Sequence, residues 1–515
     1  MVSRVVGCNR VYSGDCVCSV ADVAERVAFE RESPDQRGEK TAMAEAANDQ
    51  HQFDLVVLGG GTGGYVAAIR AKQLGLNVAV VEEIKLGGTC LHRGCIPTKA
   101  FLKSADVFDE VKKAKEFGVN IGGEISFDYE TALGRSIKVV DGQYKGLLYL
   151  FDKKHRIPVY MGRGAMLSPT QVQVRPNDGG DAFTLDTKGT IINTGSRPRP
   201  IKGIPFDGER VINSDHAVLL EQLPKSMIVR GGGATGVEWA SIYHRYGVKV
   251  TLVGRVVPQE DHEIAEFVQR AFQRQKMELA PDSRPTADDI EVTGKGVTMR
   301  LTDAKGKERV VAAETLLVGI GRQGNIEEIG LEEVGVTTEG EYIPVDPMMR
   351  TNVEHVYAIG DVNGQQLLAH TAMHHGIIAV EQICGLNPYP LDILNSPACT
   401  YCEPEIGSVG LTERQATEKG HQIKIGKFPM RPNAKAVIEG KADGFTKMVA
   451  DAETDDLLGV HIVGPHATEL IAEAALGRLL QTTPEEIALS VHPHPTVSEV
   501  IGEAAHDLLG HAIHI

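Results

Sequence analysis

Phe53-Asp-Leu-Val-Val-Leu58-Gly59-Gly60-Gly61-Thr62-Gly63-Gly64 opens on an apolar run and closes on glycines. A run of this kind marks a strand buried on both faces, as in a parallel sheet covered by helices. A helical pattern follows from Tyr65 to Leu74. Next comes a second apolar run, Asn77-Val-Ala-Val-Val81, ended by Glu82, 23 residues past Gly59. Together these segments make a βαβ dinucleotide-binding unit. Gly59 forms the turn, Gly61 lets the backbone approach a pyrophosphate at the helix N-terminus, and Gly64 permits close helix packing. Glu82 stands where an acid takes the adenosine ribose hydroxyls.

The pattern recurs at Met227-Ile-Val229, Gly231-Gly-Gly233-Ala-Thr-Gly236 and Lys249-Val-Thr-Leu-Val253. Two such units imply two dinucleotides. The second departs from the first at one point: 23 residues past Gly231 lies Gly254, where an NAD site carries an acid, and Arg255 follows. The loop to Pro258 also reads as about three residues short. Loss of the acid removes the repulsion of a 2′-phosphate, with which Arg255 could pair; the plain alternative is a solvated loop arginine.

Just past the first unit stands Gly87-Gly-Thr-Cys90-Leu-His-Arg-Gly-Cys95-Ile-Pro-Thr-Lys99. In an unbroken helix, Cα atoms five residues apart lie roughly 8.7 Å apart, whereas a disulfide wants less than about 7 Å. Gly94 and Pro97 supply the means to bend the segment. Metal ligation is the alternative, since His92 completes Cys-x-His-x-x-Cys, although a structural zinc wants four ligands.

Composition narrows the class. The 515 residues, 42% of them hydrophobic, suffice for about three to four domains. A net charge of −16 argues against nucleic acid or an anionic membrane as partner, and Lys112-Lys113-Ala-Lys115 reads as a solvated helix face. The longest apolar runs fall short of the roughly 18 residues that span a bilayer. Eight cysteines are too sparse for a disulfide scaffold, which with no secretory signal places the chain in the reducing cytoplasm. Cys399-Thr-Tyr-Cys402 is spaced like a redox motif but lies in a strand pattern, where positions three apart face opposite sides. Cys384 falls in a helical pattern and reads as core. Residues 1–51, with Cys8, Cys16 and Cys18, form an unmatched extension, either a disordered tail or residues upstream of a start at Met43.

From Phe53 onward, about nine tenths of the chain, the sequence resembles the flavin-dependent pyridine nucleotide-disulfide oxidoreductases, the dihydrolipoyl dehydrogenases most closely. The resemblance rests on six motifs in family order: Gly59 to Gly64, Cys90 to Lys99, Thr194-Gly195, Gly231 to Gly236, Ala358-Ile-Gly-Asp361 and His494-Pro-Thr-Val-Ser-Glu499. It implies an α/β fold of two Rossmann-like dinucleotide-binding domains and a C-terminal α+β dimerisation domain. Residues 52–200 would bind FAD and carry the dithiol, 201–325 would bind NAD(P), 326–394 would return to the FAD domain, and 395–515 would dimerise.

By the same resemblance, Cys95 faces the flavin and Cys90 the substrate, with Lys99 near the flavin. Asp361 holds the ribityl chain with Ala369 beside it, and Thr194, Gly195, Glu238 and Gly321 are further cofactor contacts. His494 becomes the base, oriented by Glu499 and contributed by the second subunit of a homodimer. Both His492 and His494 precede prolines, which predicts extended backbone with the two side chains on one face. Thr496-Val-Ser-Glu499 also reads as a capping box, an alternative role for Glu499. His506, His511 and His514 read as surface tail. The implied reaction is oxidation of dihydrolipoamide on a lipoyl carrier, within a 2-oxoacid dehydrogenase or glycine cleavage complex, with NAD as acceptor and NADP as the alternative. Competing expectations are a glutathione reductase-like enzyme and a catalytically silent flavoprotein scaffold; mercuric reductase is disfavoured because the C-terminus lacks a cysteine pair.

Overall fold

The computed structural model describes residues 51–515, and expectations for the extension and its three cysteines lie outside those residues. Strand β1 (Leu55–Leu58) is buried at every position and leads into α1 (Thr62–Gln73) and then β2 (Val78–Glu82). Helix α1 begins three residues before the apolar periodicity, because Thr62, Gly63 and Gly64 form its first turn. Two helices follow, the short α2 (Gly88–His92) and the long α3 (Cys95–Lys113). Strand β3 (Thr190–Ile192) pairs in parallel with β1, as β2 does on the other side.

The chain then leaves this sheet and builds a second parallel one around β4 (Ser226–Arg230), α4 (Ala234–Arg245), β5 (Lys249–Val253) and β6 (Thr315–Val318). Its strand order is Glu278–Ala280, β5, β4, β6 and Val211–Ile212. A three-stranded antiparallel sheet (290–293, 296–302, 308–313) lies between β5 and β6 in sequence. Strand β7 (Val356–Ala358) then returns to the first sheet beside β3, and α5 (Ala369–Ile383) packs on α1. Covering helices explain why the central strands read as unbroken apolar runs.

The C-terminal part is an antiparallel sheet in the order Ala398–Thr400, β8 (Ile406–Gly410), β10 (Leu457–Val463), β9 (Phe445–Asp451) and Ile423–Pro429. Helix α6 (Glu499–Leu508) closes it, burying Val500, Ile501, Ala504, Ala505 and Leu508. The resulting architecture is two Rossmann-like units followed by an α+β unit. Among the described residues no helix is long and apolar enough to cross a membrane.

Candidate active site

Cys90 in α2 and Cys95, the first residue of α3, form a disulfide with Cα atoms 4.7 Å apart. The bend comes from Arg93 (φ −138°, ψ 0°) and Gly94 (φ −126°, ψ −110°), which leave helical geometry between the two cysteines. Pro97 does not make it, contrary to the expectation from sequence. Pro97 lies in the first turn of α3, where an N–H has no intrahelical acceptor to lose. Cys95 heads a 19-residue helix, whose positive end favours a thiolate there. The Nε2 of His92 faces the Leu86 carbonyl oxygen at 2.9 Å, and burial, the largest influence, lowers its basicity. The two sulfurs are bonded to each other and His92 is engaged at Leu86.

One turn beyond Cys95, the Lys99 ammonium donates to both carboxylate oxygens of Glu238 at 2.9 and 3.0 Å. Glu238, on α4, is 5% exposed and also accepts from the Tyr401 N–H at 2.9 Å. Lys99 Nζ lies 4.5 Å from the Tyr401 ring centroid. Helix α3, helix α4 and the segment after Ala398–Thr400 therefore meet at one buried carboxylate.

The two glycine loops are built alike. A Cβ on Gly59 (φ +99°) would stand 2.3 Å from the Asn193 carbonyl oxygen, and one on Gly64 would stand 2.0 Å from the Gly59 oxygen. The matching distances in the second loop are 2.2 Å from Gly231 to the Gly319 oxygen and 1.8 Å from Gly236 to the Gly231 oxygen. The middle glycines differ. Nothing lies within 4 Å of a Cβ on Gly233, and one on Gly61 would come no closer than 3.4 Å, to Asn193 Nδ2. The outer glycines are thus required by the protein's own backbone, while Gly233 faces open space and Gly61 meets nothing closer than the Asn193 amide, both at a helix N-terminus, where a pyrophosphate fits.

Around the first loop, Glu82 Oε2 accepts from the Gly60 N–H at 2.7 Å, and Oε1 accepts from Ile84 and Lys85 at 2.7 and 3.1 Å. These bonds fill about three of its four acceptor positions, leaving one at Oε2. Asp361 accepts from the Ser196 hydroxyl, which in turn accepts from Arg322 Nε at 2.7 Å. Thr194 Oγ1 donates to the Asn325 oxygen at 2.7 Å, and Gly195 (φ +71°) and Gly321 (φ +120°) are left-handed turns. Ala369 opens α5, which packs on the turn containing Asp361.

The histidines do not share a face. His492 Nε2 pairs with Glu473 at 2.8 Å and its side chain is 10% exposed, whereas His494 is 72% exposed and pairs through Nδ1 with Glu499 Oε1 at 2.8 Å. The chain bends at His494, which breaks the alternation assumed from the two prolines. Glu499 Oε2 accepts from the Thr496 N–H at 2.9 Å, so the carboxylate serves the imidazole and the helix entrance at once. Burial would raise the Glu499 carboxyl, but the bonds from His494 and Thr496 outweigh it and hold it below its usual range.

Residues 53–376 match the pyridine nucleotide-disulphide oxidoreductase family, and residues 396–505 match that family's dimerisation domain. The chain belongs to this family. It is 47% identical over 473 residues to a dihydrolipoyl dehydrogenase of Bacillus subtilis, covering 90% of this chain and 99% of the relative. A dihydrolipoyl dehydrogenase of Chlorobaculum tepidum is 42% identical over 470 residues, 91% of this chain and 99% of the relative. The solved structure of LpdA from Mycobacterium tuberculosis superposes with a TM-score of 0.81 at 28% identity, covering 88% of this chain and 99% of that one.

As a pyridine nucleotide-disulphide oxidoreductase, the protein uses flavin and nicotinamide nucleotide, and the glycine loops fit that need. Several residues at these loops escaped the sequence reading. Asn193 donates from Nδ2 to the Gly59 oxygen at 2.9 Å; its place just before Thr194-Gly195 was the available signal. Ser196, Arg322 and Arg230 carried none. Cys399 and Cys402 are both free. Burial, helped by Glu260 and Glu405, pushes the Cys399 thiol up to about 12, and burial also raises the Cys402 thiol well above its ordinary value. His514 pairs with Glu503 at 2.7 Å, and His506 stacks edge-on with His511.

Proposed function

We propose that the chain oxidises dihydrolipoamide borne on a lipoyl carrier domain and passes the electrons through the Cys90–Cys95 dithiol and FAD to NAD. The observation that carries this reading is the disulfide seated at the head of α3, one turn from the buried Lys99–Glu238 pair. A substrate thiolate attacks Cys90 Sγ, breaking the Cys90–Cys95 bond and leaving the Cys95 thiolate at the positive end of α3. The second substrate thiol loses its proton to His494 and attacks the substrate sulfur of the mixed disulfide. This forms the lipoamide disulfide and releases Cys90. When bound, FAD supplies the two-electron relay from the Cys95 side to the nicotinamide. The glycine loop at Gly59–Gly64, with Glu82 and Asp361, would hold FAD, and the loop at Gly231–Gly236 would hold the nicotinamide nucleotide.

His494 is exposed on its own chain, and its hydrogen bond and ion pair run to Glu499. That arrangement suits a base presented to the dithiol of a second copy across the dimer, with shared active sites. The domain boundaries proposed are 52–200 and 326–394 for FAD, 201–325 for NAD(P) and 395–515 for dimerisation. The proposed setting is cytoplasmic, serving a 2-oxoacid dehydrogenase or glycine cleavage complex. Gly254 in place of an acid predicts weak discrimination against NADP. Steady-state assays with dihydrolipoamide plus NAD and with glutathione disulfide plus NADH or NADPH test the reading. Turnover is expected with the first, and turnover with glutathione disulfide alone would replace it.

A further inference from the structure

At the second glycine loop the position of the missing acid is not empty of charge. Arg230, the last residue of β4, extends toward Gly254 at the end of β5, and its Nη1 lies 3.5 Å from where a Gly254 Cβ would stand. Its Nε is buried without a hydrogen-bond partner, and its guanidinium forms no ion pair among the described residues. A guanidinium stays charged, and an N–H of it buried without an acceptor is costly. Burial, and next the like charge of Arg284, pull the Arg230 group down from its ordinary value, and no acid opposes them.

The neighbouring loop adds cations rather than acids. Arg255 is exposed and follows Gly254 directly. Arg284 is also exposed, and its guanidinium donates to the backbone oxygens of Pro281 and Ser283. The loop is held against the glycine turn by Val257 N–H donating to the Gly232 oxygen at 2.7 Å. Val257 has φ 37°, a left-handed conformation that costs a β-branched residue. A Cβ on Gly232 would stand 2.0 Å from the Arg255 oxygen, so the loop cannot be placed this way beside any other residue there. In a chain of net charge −16, Arg230 stands at the strand end that faces the adenosine ribose in a βαβ unit, with the like charge of Arg284 near it and Arg255 following Gly254 directly, and none of the three forms an ion pair among the described residues.

We propose that Arg230, supported by Arg255, forms an anion subsite for the 2′-phosphate of NADP(H), replacing the acid that selects NAD in such units. This rests on the second glycine loop binding the nicotinamide nucleotide, as in the reading above. It assigns the larger part of the discrimination to an arginine at the end of the first strand and the smaller part to the loop after the second.

The test uses the full-length holoenzyme. Binding of adenosine 2′,5′-bisphosphate and of 5′-AMP is measured by calorimetry at two salt concentrations. The NADPH-to-NADH ratio of kcat/KM is measured for wild type, Arg230→Gln, Arg230→Lys and Arg255→Gln. The bisphosphate should bind wild type at least tenfold more tightly than 5′-AMP, and the difference should shrink with salt. Arg230→Gln should lower the NADPH-to-NADH ratio between about tenfold and a hundredfold, the usual worth of a charge-assisted hydrogen bond. Arg230→Lys should recover part of it, and Arg255→Gln should lower it less. Equal binding of the two adenosine ligands by wild type would overturn the subsite whatever the variants do. Equal losses for both coenzymes in Arg230→Gln would show that Arg230 serves the pyrophosphate or the fold instead. Tight bisphosphate binding by a protein that fails to oxidise dihydrolipoamide would sustain this subsite while removing the substrate assignment.

Discussion

His494 Nδ1 and Glu499 Oε1 meet at 2.8 Å, while the other oxygen of the same carboxylate accepts the Thr496 N–H at 2.9 Å. Removing the imidazole and removing the carboxylate should therefore differ in degree. His494→Gln is expected to slow both thiol half-reactions by about 10² to 10⁴, the usual worth of positioned proton transfer, with flavin reduction by the nicotinamide nucleotide preserved. Glu499→Gln keeps one acceptor oxygen for two donors, so it should lose less rate, with the loss confined to the thiol half-reactions. Stopped-flow measurement of each half-reaction separates them. A large loss in His492→Gln with none in His494→Gln would reverse the assignment of the base.

The dithiol predicts unequal spectra. Cys95 heads α3, so Cys90→Ser should leave a stabilised Cys95 thiolate and a long-wavelength absorbance in the flavin-loaded protein without added reductant. Cys95→Ser should abolish that band in the two-electron-reduced protein. Both variants should lose lipoamide turnover, and near-normal turnover in either would show that the chemistry runs elsewhere.

What sequence could and could not show follows the range of the interactions involved. Strands β1 and β2 and their glycine turn were legible because each signal lies within a few residues of its effect. Gly94 was likewise legible as the source of the bend; Pro97 misled because proline is harmless in a first turn. The Lys99–Glu238 pair spans 139 positions and exists only because α3 packs on α4, so sequence marked both residues and not their partnership. His492 reaches Glu473 on a neighbouring helix, a contact that local alternation cannot foresee. Arg230 carried no local signal, because its approach to Gly254 joins the ends of two different strands.

The two glycine classes make a sharper prediction. Gly64→Ala sets a methyl 2.0 Å from the backbone oxygen of Gly59, so the loop must shift, at a cost of about 1 to 3 kcal/mol. Its thermal midpoint and its flavin-to-protein absorbance ratio should both fall. Gly233→Ala meets nothing within 4 Å and has a φ of −73° that alanine tolerates. It should melt like wild type, yet raise KM for the nicotinamide nucleotide by about tenfold or more through displacement of the pyrophosphate. A fall in melting temperature for Gly233→Ala, with KM unchanged, would contradict the open cradle.

Lys447, on β9, has a side chain that is 0% exposed, and it bonds Asp261 at 3.0 Å, Glu263 at 2.9 Å and Glu413 at 2.6 Å. Asp261 is equally buried, and it caps the helix His262–Arg274. Lys447→Met would strand that carboxylate without its cation, costing about 3 to 5 kcal/mol of unfolding free energy, readable as a lower denaturant midpoint. The same ammonium sets an acid limit. Burial would raise the Glu263 carboxyl, but hydrogen bonds from Lys427 and Lys447 prevail and lower it to about 2, from 4.5. A carboxyl lowered by folding contributes stability above 4.5 that is lost as pH falls toward 2. The wild-type midpoint should therefore decline across that interval, and Lys447→Met, which removes one of the two stabilising cations, should decline less steeply. Parallel acid limbs for the two proteins would mean that Lys427 alone holds Glu263 ionised.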